Sequence, residues 1–137
     1  MTANAALAAN STIEGTFKSG GYYAVELGDD TMILCLNGMY PFYENWSDFD
    51  VADEMIDWVS ATLEANPDKN FLTQTHVFFG NNWYNELEIL WNETYTNKMM
   101  EVIYPHQDRF ILAVGAHIHH VQLMAPESSV APDLNLV

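Results

Sequence analysis

The chain reads as an α/β domain with a mixed sheet and flanking helices. Three observations predict this. Short apolar runs recur along the chain and stop abruptly at Gly, Asn or His. Two longer stretches between them, near residues 50–65 and 85–104, carry apolar residues at helical spacing. Turn-forming residues separate the first two runs at hairpin distance. Strands alternating with helices give the layered α/β pattern.

Residues 1–19 are small and polar, so irregular structure is expected there. Tyr22–Leu27 alternates, Gly28-Asp29-Asp30 is a turn signal, and Thr31–Leu36 is strongly apolar. Together they predict a β-hairpin whose second strand is the more buried. Asp29 and Asp30 suit a solvated turn better than a metal site, because turns favour Asp for backbone reasons. The loop Asn37–Trp46 holds Pro41 and several aromatic residues, which either line a pocket or pack down.

A helix is predicted over roughly Asp50–Ala65. Val51, Met55, Trp58, Val59 and Leu63 form its apolar face, and Asp53, Glu54, Asp57 and Glu64 face water. Ser47, Asp48 and Asp50 are N-cap candidates, and Asn66-Pro67 stops it. Asn70–Thr75 is the next strand, ending at His76, and Val77–Tyr84 an irregular aromatic loop. A second helix falls between Asn85 and Tyr104, with Trp91, Tyr95, Met99 and Ile103 as an inward stripe. Such a stripe is core before it is a cofactor box. Pro105 ends it.

Arg109–Met124 is the most informative stretch. The run Phe110–Val114 predicts a buried strand, Gly115-Ala116 a tight turn, and Val121–Met124 a returning strand. Between them lie His117, His119 and His120. The small residues at 115 and 116 allow a close backbone approach, and the His-x-His spacing can aim His117 and His119 toward one side. His76 closes a neighbouring strand, so three imidazoles converge on one sheet edge if the strands are adjacent. Neutral imidazole is a common ligand of borderline divalent metals, and α/β sites gather at the carboxyl ends of strands. A hydrogen-bonded, solvated His-rich turn is the plainer alternative.

Composition narrows the function. The 137 residues suit one domain, and 49% hydrophobic content is enough for a core. Four Lys and Arg stand against 19 Asp and Glu, a formal net charge of -15. That surface repels nucleic acid and anionic membranes; a phosphate ester binds only where metal cations reverse the field. The single Cys35 excludes a disulfide framework and a Cys-based zinc site. No stretch is long enough for a transmembrane segment. Asn10, Asn45 and Asn92 each open an N-glycosylation sequon, pointing to a secreted, extracellular or lysosome-like glycoprotein whose signal peptide lies in preceding sequence.

The landmarks together resemble the C-terminal half of the calcineurin-like metallophosphoesterases, closest to the acid sphingomyelinase-like branch. Gly20-Gly21-Tyr22-Tyr23 is similar to the strand that opens that half, and Leu34-Cys35-Leu36-Asn37 to its Leu-x-Leu-Asn strand. Trp58–Leu63 matches a Trp-Leu-x-x-x-Leu helix, and Trp91-Asn92 a Trp-Asn pair before a helix. Thr75-His76-Val77-Phe78 stands where the family has Gly-His-x-Pro, and Ala116-His117-Ile118-His119 where it has Gly-His-x-His. The likeness spans about residues 17 to 126. The family's N-terminal motifs, Asp-x-His, Gly-Asp-x-x-Asp and Gly-Asn-His-(Asp/Glu), have no counterpart.

The resemblance implies a C-terminal half of a layered metallophosphoesterase sandwich over residues 20–126, preceded by the irregular segment 1–19. Residues 127–137 then continue the fold or contact a partner. It also implies two divalent metals, with zinc expected. His76 and His117 would bind one, and His119 the other. The remaining ligands and the general acid belong to an N-terminal half, or to another chain covering the open sheet edge, so this chain alone is inactive. His106 and His120 match no ligand position. Two alternatives stand beside this phosphodiester- or phosphomonoester-hydrolysing half. One is a non-catalytic glycoprotein subunit on a degenerate scaffold without metal, suggested by Thr75, Phe78 and Ala116. The other is a mononuclear metal-binding module.

Overall fold

Gly28 turns the chain at a φ of 74°, a conformation that favours glycine, and the two flanking strands close into the expected hairpin. The computed structural model describes residues 11–42, 49–82 and 88–119. In chain order the elements are α1 (Ser11–Gly20), β1 (Tyr23–Leu27), β2 (Thr31–Cys35), α2 (Phe49–Ala65), β3 (Asn70–Gln74), β4 (Asn81–Asn82) and β5 (Glu88–Ile89). They are followed by α3 (Glu93–Ile103), a 3-10 turn (Tyr104–Arg109) and β6 (Phe110–Val114). The principal sheet has the order β1-β2-β3-β6, with β1 antiparallel to β2 and the other pairs parallel. This is the mixed, helix-flanked α/β layer that the sequence predicts.

The strands β2, β3 and β6 advance in one direction across the sheet, so right-handed crossovers put α2 and α3 on one face. The helices meet there through Phe49 stacked on Tyr95 and an Asp53–Lys98 ion pair. Beneath them Leu34, Phe71 and Thr73 are fully buried, matched by Met55, Val59 and Leu63 of α2 and Met99 of α3. Arg109 joins the two layers. Its guanidinium donates to the carbonyls of Leu63, Asn66 and Lys69, satisfying acceptors left over at the end of α2. Its contact with His106 Nδ1 at 2.9 Å makes that nitrogen an acceptor, since guanidinium only donates.

The opposite sheet face carries Tyr23, Val25, Leu27, Thr31, Ile33, Cys35, Leu72, Gln74, Leu112 and Val114, by strand alternation and register. None of these is charged. Phe17 of α1 reaches Tyr23 edge-on, but Leu27, Leu112 and Val114 stay 55%, 48% and 47% exposed. A β-bulge between Phe71 and Leu72 leaves Ile111 unpaired, with 59% exposure.

Several expectations need correction. Ser11–Gly20 is helical where irregular structure is expected; a Glu14–Lys18 pair supports it, and Gly20 lies against Val51 so closely that a methyl group would sit 2.8 Å from it. β6, expected to be buried, is largely exposed because among the described residues it pairs only with β3. Asp53, expected to face water, keeps a partly exposed side chain and in addition pairs with Lys98. Val51 and Trp58 are half-buried, while Ala52 and Ile56 complete the buried stripe. The aromatic loop after β3 ends in a two-residue ladder, β4 with β5. The returning strand Val121–Met124, His120, Asn10 and Asn45 lie outside the described residues.

Candidate metal site

Because β3 and β6 are adjacent and parallel, their carboxyl ends emerge side by side. The ladder continues past both strands: Thr75 N–H donates to Val114 O at 3.0 Å and Ala116 N–H to His76 O at 2.9 Å. These two bonds hold His76 beside His117. His76 Nε2 and His117 Nδ1 are 3.4 Å apart, with ring planes at 84°.

That spacing is informative. At 3.4 Å the two ring nitrogens have the geometry of a long hydrogen bond, with donor and acceptor set by the tautomers. Two nitrogens about 2.0–2.1 Å from one tetrahedral zinc ion are about 3.3 Å apart. The spacing therefore matches two ligands of one metal as well as a hydrogen bond between the rings. His76 is exposed and His117 half-buried, so the nitrogens are reachable.

His119 follows a different geometry. The chain leaves β6 into bends, with Ile118 N–H bonded to Ala116 O, and both His117 and His119 have positive φ, 75° and 55°. The alternation that aims residues i and i+2 to one side belongs to extended backbone and does not operate here. Among the described residues no group of three or more His, Cys, Asp or Glu is arranged to hold a metal. The third sequence-selected imidazole is thus near in sequence and outside the pair in space.

The surroundings of the pair come from three loops at the same end of the sheet. Phe42, after β2, meets the His117 ring edge-on at 5.7 Å. Val77, after His76, is fully buried, and its carbonyl accepts from Trp91 Nε1 at 2.7 Å and Thr75 Oγ1 at 3.0 Å. Gly38 makes room for it: a Cβ there would lie 2.1 Å from Val77 O. Gly115 is similarly pressed on Phe78, whose Cβ would be 2.4 Å from an added methyl group. Phe42 belongs to the loop expected either to line a pocket or to pack down, whereas Gly38 and Trp91 carry no sequence signal of a place beside the site. Trp91 in particular looked like the first member of a helical stripe, yet it precedes the N-cap, Asn92.

Asn92, the described sequon, is half-buried; its Oδ1 accepts from Thr94 N–H at 2.9 Å and caps α3. Among the described residues no helix is long and apolar enough to cross a membrane. No protein-family model matches the chain, and no curated protein matches it either.

Proposed function

We propose that this chain is half of a secreted, metal-dependent phosphoesterase, acting on phosphodiesters or phosphomonoesters only when a second half completes its centre. The observation that carries the reading is the His76–His117 nitrogen spacing of 3.4 Å at the ends of adjacent parallel strands. In this reading His76 and His117 hold one metal and His119 belongs to the other. The second half, on this chain's open sheet edge, supplies the bridging carboxylate and the general acid. When bound, such a metal pair lowers the pKa of a bridging water and clamps the phosphoryl oxygens. This chain's own contribution is to present two imidazoles at fixed spacing and to shield His117 on one side with Phe42.

Among the described residues the apolar sheet face and the outer edge of β6 are open, which supports a partner, because an unprotected apolar edge invites pairing with another chain. The sequons support secretion. Elemental analysis of the native assembly, purified without added metal, tests the reading. About two transition-metal ions per copy are expected. His117→Ala should then abolish phosphoesterase activity. An assembly without metal refutes the reading.

One observation favours the non-catalytic subunit as second reading. Where the resemblance lapses, the substituted side chains are engaged in packing: Thr75 binds Val77 O, and Phe78 fills the space over Gly115. That reading expects a metal-free, glycosylated assembly with no hydrolytic activity.

A further inference from the structure

We propose that Trp91 is the positioning residue of the imidazole pair, setting His76 and His117 at ligand spacing through one buried hydrogen bond and one backbone bridge. The ring placement stands by itself; the zinc affinity used to test it rests on the metal-centre reading above.

Trp91 is fully buried immediately before α3. Its indole N–H donates to Val77 O, the carbonyl one residue beyond His76. The Thr75 hydroxyl, one residue before His76, donates to the same oxygen. His76 is therefore suspended between two residues fixed to a single acceptor. On its other side Trp91 forms an antiparallel bridge with Phe42, reinforced by Asn92 N–H on Pro41 O at 2.8 Å. Phe42 in turn packs its ring against His117. Residue 91 thereby connects both sides, its indole N–H to the strap carrying His76 and its backbone to Phe42, whose ring abuts His117.

A residue that only fills the core alters stability and leaves ring geometry alone. A positioning residue alters ring geometry in protein that still folds. The test uses the full chain with Trp91→Phe, which keeps an aromatic ring and removes the N–H. Three quantities are measured: cooperative thermal melting, the nuclear Overhauser contact between the His76 and His117 rings without metal, and affinity for zinc alone. The expected result is a cooperative melt, loss of the ring contact, and zinc affinity weakened by about 10- to 100-fold, as for outer-shell partners of metal ligands. A folded W91F that keeps both the ring contact and the zinc affinity overturns the proposal.

Should W91F fail to fold, Thr75→Val and Thr75→Ser decide. Val removes the other donor to Val77 O and Ser retains it. Weaker zinc binding and a lost ring contact in T75V, restored in T75S, support the proposal; a T75V protein equal to wild type overturns it. If the wild-type chain binds no zinc but W91F still loses the ring contact, the metal-centre reading fails and the positioning role stands.

Discussion

Gly38→Ala is a direct probe of how tightly the His76 loop is held. The added methyl would sit 2.1 Å from Val77 O and 2.5 Å from Thr75 Oγ1, where real Cβ contacts essentially never fall below 3.0 Å. The first obstacle is backbone, so it has no rotamer by which to escape. The loop after His76 must retreat by roughly 1 Å, and such overpacking costs about 1–3 kcal/mol. The lower backbone freedom of Ala in the unfolded chain offsets about 0.4–1 kcal/mol. The two ranges leave a net loss of up to about 2.6 kcal/mol. Because the obstacle is backbone we expect the upper half, about 1–2.6 kcal/mol, which lowers the melting temperature by roughly 3–10 °C in a chain of this size. Differential scanning calorimetry measures that loss, and imidazole resonances report whether His76 moves with the loop. A G38A protein melting within about 1 °C of wild type, with unchanged resonances, would refute the reasoning.

Three further outcomes are expected. Thr73 is 1% exposed and its hydroxyl has no hydrogen-bond partner among the described residues, so Thr73→Val should raise stability by about 1–2 kcal/mol in chemical denaturation. Val114→Lys lies on the exposed end of β6; it should change stability by less than about 0.5 kcal/mol while reducing self-association in light scattering. Burial pushes the Cys35 thiol up, and its hydrogen bond with Tyr23 draws it only partly back. Iodoacetamide should therefore label the folded chain more slowly than the unfolded chain near pH 8. The sign for stability follows: the unfolded chain ionises first, so stability is intact below its thiol pKa, about 8.5, and declines as pH rises beyond it. Equal labelling rates in the two states would contradict this.

Much of the fold was legible because the decisive signals are local. The Gly28 turn, the helix stopped by Asn66-Pro67 and the Tyr95, Met99, Ile103 stripe all appear where their patterns place them. α1 was invisible because Gly, Ser and Thr dominate its sequence and its support comes from a neighbouring helix. Asp53 looked solvated because its counter-charge, Lys98, lies 45 residues away. The meeting of His76 with His117 was foreseeable from two strand ends, given that the strands are neighbours. The separate course of His119 was not, since it depends on two positive φ values for which histidine gives little sign. Gly38 carries no motif, and the Trp91-Asn92 pair marks a helix start without revealing what the indole touches; the contact of both with Val77 O is tertiary.

Among the described residues α2 and α3 cover one face of the sheet while Leu27, Leu112 and Val114 of the other stay exposed, and this has a thermodynamic consequence. Anything that binds the folded chain on its bare side, and not the unfolded chain, adds free energy that grows with its concentration, about 2.7 kcal/mol at one hundred times Kd. The melting temperature of this chain then becomes a titration curve for whatever covers Leu27, Leu112 and Val114. Under the partner reading proposed above, a shortfall of the partner would show first as turnover, because the uncovered molecule unfolds more often and proteases act on the open form.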